Sequence, residues 1–80
     1  MEVREARDAD ELREALRLRD DVFCGEQGVS AAAERDGRDG EALHLVAVEG
    51  GRVLGTCRVL FRAGSAFLGR LAVERDERRR

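Results

Sequence analysis

The sequence predicts an α+β fold, with elements in the order β-α-loop-β-β-β and a mainly antiparallel sheet. Three observations predict it. Apolar residues recur at helical spacing between Glu11 and Phe23. A Gly50-Gly51 pair divides two β-prone runs, a strong signal for a two-residue hairpin. A third apolar run, "AFLGRLAV", follows a Gly64-Ser65 turn and extends the meander.

Taken in order, Met1 to Ala6 is a short β-prone start around Val3. "DADE" then reads as a capping box, in which Asp8 accepts from the backbone three residues on and Glu11 reaches back. In "ELREALRLRDDVF", Leu12, Ala15, Leu16, Val22 and Phe23 form one stripe, with Gly25 as the expected stop. Arg19 stands seven residues after Leu12, inside that stripe, where a charge is costly unless paired. Two readings are open: the side chain snorkels to water, or it meets a carboxylate of the segment that follows. That segment, "GEQGVSAAAERDGRDGEA", is a long connection with one short helical turn expected at Ser30 to Arg35. Its Glu34, Asp36 and Asp39 either partner Arg19 or solvate the loop.

In the hairpin, a simple register sets Glu49 opposite Arg52, Val48 opposite Val53 and His44 opposite Cys57. One face then carries Ala42, Val46, Val48, Val53 and Val59; the other carries Leu43, Leu45, Ala47 and Leu54. A sheet apolar on both faces wants cover on both. One helix covers only one, so a partner chain, including a second copy, or sequence beyond residue 80 is expected to supply the rest.

Composition narrows the function classes. With 42% hydrophobic residues and no proline, the 80-residue chain reads as one globular domain. Its net charge of -2 gives no general attraction to nucleic acid or membrane. The terminal "RDERRR" lacks aromatic interleaving, and Asp76 and Glu77 dilute its field. Cys24 and Cys57 have no metal-ligand spacing and are too few for a disulfide scaffold. No signal peptide or membrane-spanning run is present, so the expectation is a reduced, cytoplasmic chain without a metal. His44 facing Cys57 is either a nucleophile pair or a packed cysteine beside a hydrogen-bonded histidine.

The ordered set "LRDDVFCGEQGVS", "ERDGRD", "ALHLVAVEGGRVLGTCRVL" and "GRLAVERDERRR" resembles the N-terminal half of a GCN5-related N-acetyltransferase. An R-x-x-V-F-x-x-E-Q-x-V signature of one bacterial branch reads here as Arg19 to Val29. The resemblance implies an acyl-CoA N-acyltransferase fold and transfer of an acetyl group from acetyl-CoA to an amine of a small molecule or peptide. It implies that Leu71, Ala72 and Val73 face the pantetheine arm and thioester, and that Arg78, Arg79 and Arg80 open the pyrophosphate loop. The loop's glycines are not in the sequence. Residues 1–80 are therefore expected to be a single incomplete domain ending inside that loop, weakly active or inactive alone. The general base implied is a glutamate or a water held by the middle strands, with Glu26 and His44 as candidates.

The chain also resembles acyl-homoserine-lactone synthases, which share the fold, through Arg19, Phe23, Glu34, Asp36, Asp39 and Arg58. It departs from them in having no tryptophan and in reading Phe67 where they carry a glutamate. That resemblance implies that Arg19, the acidic loop and Arg58 form one structural or substrate network. A non-catalytic module that dimerises through the exposed sheet is the alternative outside enzymes.

Overall fold

The structure, a computed structural model, describes residues 1–78. Its elements are β1 (Glu2–Glu5), α1 (Ala9–Arg19), a π-helical segment (Asp20–Glu26), α2 (Ala31–Glu34), β2 (Leu43–Glu49), β3 (Arg52–Arg62) and β4 (Ser65–Val73). Short 3-10 turns lie at Asp39–Glu41 and Arg75–Glu77. The strands form one antiparallel sheet in the order β1-β2-β3-β4.

Helix α1 starts where the capping residues dictate. Asp8 Oδ1 accepts from the Glu11 N–H at 2.8 Å, satisfying a donor that has no partner within the helix. Glu11 reaches back one residue further than a capping box requires and accepts from the Arg7 N–H at 2.9 Å. It also takes a two-pronged bond from Arg4 of β1, at 2.6 and 2.7 Å. This fork ties the helix start to the edge strand and holds the Glu11 carboxyl down to about 2.

The expected stop at Gly25 is not a stop. The helix passes into the π segment, where Gln27 N–H donates to the Val22 carbonyl at 3.1 Å. The buried stripe is centred on Ala15, Leu18 and Val22, while Leu12 and Leu16 flank it half-buried. Packed on Val46, Val48, Val53 and Ala72, this stripe makes the core on one face of the sheet.

Both hairpin loops are two residues long with positive φ at both positions. Gly50 and Gly51 sit at +59° and +79°, Ala63 and Gly64 at +49° and +79°. The second turn therefore comes one residue earlier than Gly64-Ser65, and Ser65 already belongs to β4.

The simple register fails inside the first hairpin. Val48 pairs with Val53 but Ala47 pairs with Gly55, leaving Leu54 as the extra residue of a β-bulge. Because strand side chains alternate, one inserted residue moves everything beyond it to the opposite face. His44 thus pairs with Arg58, not Cys57, and Leu45 pairs with Cys57. Val59 joins Leu43 and Leu45 on the uncovered face, and Thr56 and Arg58 turn under the helix. Ala42 falls outside β2, in the turn before it. The uncovered face leaves Val3, Phe61, Leu68 and Leu71 more than half exposed. No helix among the described residues is long and apolar enough to cross a membrane.

Candidate functional site

Two constellations lie at opposite ends of the helix-covered half of the molecule. The first is built from Arg19. Its side chain is 0% exposed, and it donates from Nε to Glu34 Oε1 at 2.7 Å and from Nη1 to Asp39 Oδ1 at 2.8 Å. Glu34 is delivered by α2, whose first turn is capped by Ser30 Oγ accepting from Ala33 N–H at 3.1 Å. Asp39 Oδ1 bridges to Arg58 of β3 at 3.1 Å, and Arg58 forks onto Asp36 at 2.6 and 2.8 Å. Arg35 closes the outside, reaching Glu34 at 2.8 Å and Asp20 at 2.7 Å. Buried charge survives only when paired and hydrogen-bonded on several sides, and here each guanidinium meets at least two carboxylates.

The electrostatics follow from the pairing. The Arg58 fork and the Arg38 N–H hold the Asp36 carboxyl well below its usual range, despite some desolvation. For Asp39, burial pushes the carboxyl up, but the bonds from Arg19 and Arg58 more than offset it, so its net position is lowered. Arg58 is correspondingly fixed as a cation, first by Asp36.

Arg70 joins this network from β4, and sequence reasoning did not single it out. It has φ +52° inside a second bulge, where Thr56 pairs with Ala72 but Arg58 pairs with Gly69. A non-glycine residue in the left-handed region costs about 1–2 kcal/mol. Bonds to the carbonyls of Ala33 (3.0 Å) and Glu34 (3.2 Å), and a 3.4 Å pairing with Asp36, hold it there. The available signal was a charge between Gly69 and Leu71 in an otherwise apolar run.

The second constellation is the end of β4. This strand is a sheet edge, so one row of its backbone groups has no strand partner. Glu74 N–H donates inward to the Leu54 carbonyl at 2.8 Å. Alternation then turns the backbone N–H and C=O of Val73 outward. The Val73 carbonyl accepts from Arg78 Nε at 3.0 Å, as an outward-facing group should. Ala72 is 2% exposed with its side chain in the core, whereas Leu71 is exposed. Beside them, on the uncovered face, an apolar hollow of about 160 Å³ lies between Val3, Leu45, Ala47, Cys57, Leu71 and Val73. Arg79 and Arg80, the other residues expected at a phosphate loop, lie outside the described residues.

The two candidate bases are not together. Glu26, at the end of the π segment, pairs with Arg78 at 2.9 Å and approaches Arg75 at 4.0 Å. The Arg78 bond lowers its carboxyl, which weakens it as a proton acceptor. His44 is buried under α1, with Nε2 2.8 Å from the Asp39 carbonyl. A carbonyl only accepts, so Nε2 is the donor in this contact, and Nδ1 is buried without a hydrogen-bond partner. His44 lies level with Gly69 across β3, four residues from Val73, or about 13 Å along the strand. His44 and Cys57 lie on opposite faces, which removes the nucleophile pair, and burial pushes the Cys57 thiol up, away from thiolate. Among the described residues, no cluster of three or more His, Cys, Asp or Glu side chains is placed to hold a metal ion.

Comparison with known proteins adds an independent line. No protein-family model matches the chain. Over 73 residues it is 32% identical to the uncharacterised N-acetyltransferase YjcF of Bacillus subtilis (strain 168), covering 91% of this chain and 52% of YjcF. Its backbone superposes on an acyl-CoA N-acyltransferase from Pseudomonas aeruginosa with a TM-score of 0.78 and 30% identity, over 96% of this chain and 57% of that one. Escherichia coli ElaA shares the fold at a TM-score of 0.83 and 23% identity, over 99% and 59% of the two chains. The chain thus spans about half the length of the curated relative it matches.

Proposed function

The chain belongs to the GCN5-related N-acetyltransferase family, and from that premise we propose that it forms the acyl-donor half of an N-acetyltransferase site. The reaction moves an acetyl group from acetyl-CoA to an amine of a small molecule or peptide. The observation that carries this reading is the free edge of β4. Val73 offers an outward N–H there, its outward C=O is held by Arg78, and both lie beside an apolar hollow. An extended chain carrying amides pairs with such an edge through its backbone-like groups, and the pantetheine arm of CoA is such a chain.

The residues fit the donor in part. Val73 supplies edge hydrogen bonds, Leu71 and Cys57 supply apolar contact, and Arg78 supplies a cation for a phosphate. Ala72 contributes by anchoring the strand in the core and not by contact. In the transfer, the amine nitrogen attacks the thioester carbon, the C–S bond breaks, the amine gives up a proton and CoA leaves as the thiol. The chain's own part is positioning: a rigid strand edge holds one reactant while the other approaches. Neither Glu26 nor His44 is arranged here to take the proton.

The Arg19 network is, in this reading, the scaffold that fixes segment 30–41 against β3 and β4. The expected behaviour of these 80 residues alone is donor binding with slow turnover. The test is NMR-monitored titration of the 80-residue chain with CoA, together with thiol-release assays against a panel of amines. Shifts concentrated at Leu71–Glu74 are expected; shifts spread evenly, or none at millimolar CoA, would sink the reading. The uncovered apolar face favours one other reading, a module that dimerises through it. A stable dimer indifferent to CoA would support that alternative.

A further inference from the structure

The Glu26–Arg78 pair is more than a surface contact, because of where it sits. Arg78 spans from the last outward carbonyl of β4 to a carboxylate 52 residues earlier in the chain. Its guanidinium is used on two sides. Nε is bound to Val73 O, while Nη1 and Nη2 lie 2.9 and 3.1 Å from the two Glu26 oxygens. The fork of a guanidinium matches a carboxylate and a phosphate with nearly the same geometry. Arg78 is 37% exposed and Glu26 26% exposed, so an anion from solvent can reach the same edge of the fork.

We propose that Glu26 is a positioning residue that holds Arg78 latched over the end of β4, and that the phosphates of the acyl donor displace it. This rests on the reading of the β4 edge as the donor site. With Glu26 in place, the arginine is oriented and its charge offset, so free anions of low charge gain little there. A polyphosphate ester that also pairs with the strand edge takes the fork from the carboxylate. Arg75, 4.0 Å from Glu26, remains to hold the released carboxylate. Among the described residues, Glu74 also acts on Arg78 through space, and Glu74 in turn lies 3.6 Å from Arg17.

The experiment uses the 80-residue chain in four forms: unsubstituted, Glu26→Gln, Glu74→Gln and Arg78→Ala. CoA binding is measured by calorimetry, and the Glu26 side-chain carboxyl is titrated by carbon NMR with and without saturating CoA. Glu26→Gln is expected to bind CoA up to roughly fivefold tighter, the equivalent of removing one surface ion-pair competitor. Glu74→Gln removes a nearby charge without touching the fork and is expected to stay within about twofold. Arg78→Ala is expected to weaken binding. In the unsubstituted chain, CoA is expected to move the Glu26 titration upward, toward that of an unpaired carboxylate. If CoA binds but Glu26→Gln is no tighter than Glu74→Gln, or the Glu26 titration does not move, the latch is overturned while the donor site stands. If no form binds CoA at millimolar concentration, the donor site itself is overturned and the latch with it.

Discussion

Arg19 shows how one side chain organises a segment that has almost no regular structure. Between residues 27 and 42 the regular structure is the single turn of α2 and the 3-10 turn at Asp39–Glu41, so backbone hydrogen bonding alone cannot fix the path. The fully buried guanidinium does so by binding Glu34 and Asp39 at once. Removing it leaves a carboxylate buried without its main partner. Arg19→Ala is expected to cost about 3–5 kcal/mol, the usual result of breaking a buried pair. Arg17→Ala, at a position 51% exposed, is expected to cost no more than about 1 kcal/mol. Urea denaturation of both variants checks this, and equal small losses would refute the buried network.

Glu11 makes a second residue-scale prediction. Its carboxyl titrates near 4.5 in the unfolded chain and near 2 in the folded one. Below pH 4.5 the unfolded state therefore takes up a proton that the folded state refuses. The stabilisation is complete above that pH and is lost as pH falls toward 2. Urea midpoints measured from pH 6 to pH 2 should fall across this window, and Glu11→Gln should flatten that part of the curve.

Among the elements, the hairpins carry the clearest prediction. Ala63 occupies a left-handed position that glycine or asparagine takes at lower cost. Ala63→Asn is expected to raise the melting temperature by about 4 °C, equivalent to about 1 kcal/mol in a domain of this size. A lowered melting temperature would show that the turn is not of this type. The same elements show what was legible. Gly50-Gly51 announced its turn because only glycine is easy at both positions. The start of α1 announced itself through Asp8 and Glu11. The bulge at Leu54 did not, since Val53, Leu54 and the residues after them read as one continuous apolar run. Gly55 was the physical hint: a Cβ there would lie 3.5 Å from the Ala72 carbonyl and 3.6 Å from the Ala47 Cβ. Missing one residue of register set His44 against Cys57, although they lie on opposite faces. The acidic residues of segment 27–42 were visible, and partnering Arg19 was one of two open readings; Glu34 and Asp39 do so, whereas Asp36 pairs with Arg58. Arg70 was not singled out because its role depends on a strained φ that only the folded strand reveals.

At the scale of the whole molecule, one helix packs on one face of a four-stranded sheet, and the other face carries Val3, Phe61, Leu68 and Leu71. A chain this size buries only about 60% of its unfolded surface even when complete. The exposed face is therefore expected to drive reversible self-association at high concentration. Light scattering should show it, and Leu68→Lys should return the chain to a monomer; a monomer at millimolar concentration without that change would contradict the expectation. The cations of this molecule carry a last consequence. The 80 residues contain no lysine: beyond the arginines the one basic side chain is the His44 imidazole, and no side chain carries a primary amine. Guanidinium groups stay protonated at neutral pH and are poor acyl acceptors. An assay for transfer to added amines consequently has almost no background from the polypeptide itself. An acetyl group found on a side chain of these 80 residues would be a labile thioester or ester, on Cys24, Cys57, Ser30, Thr56 or Ser65, and not a lysine amide.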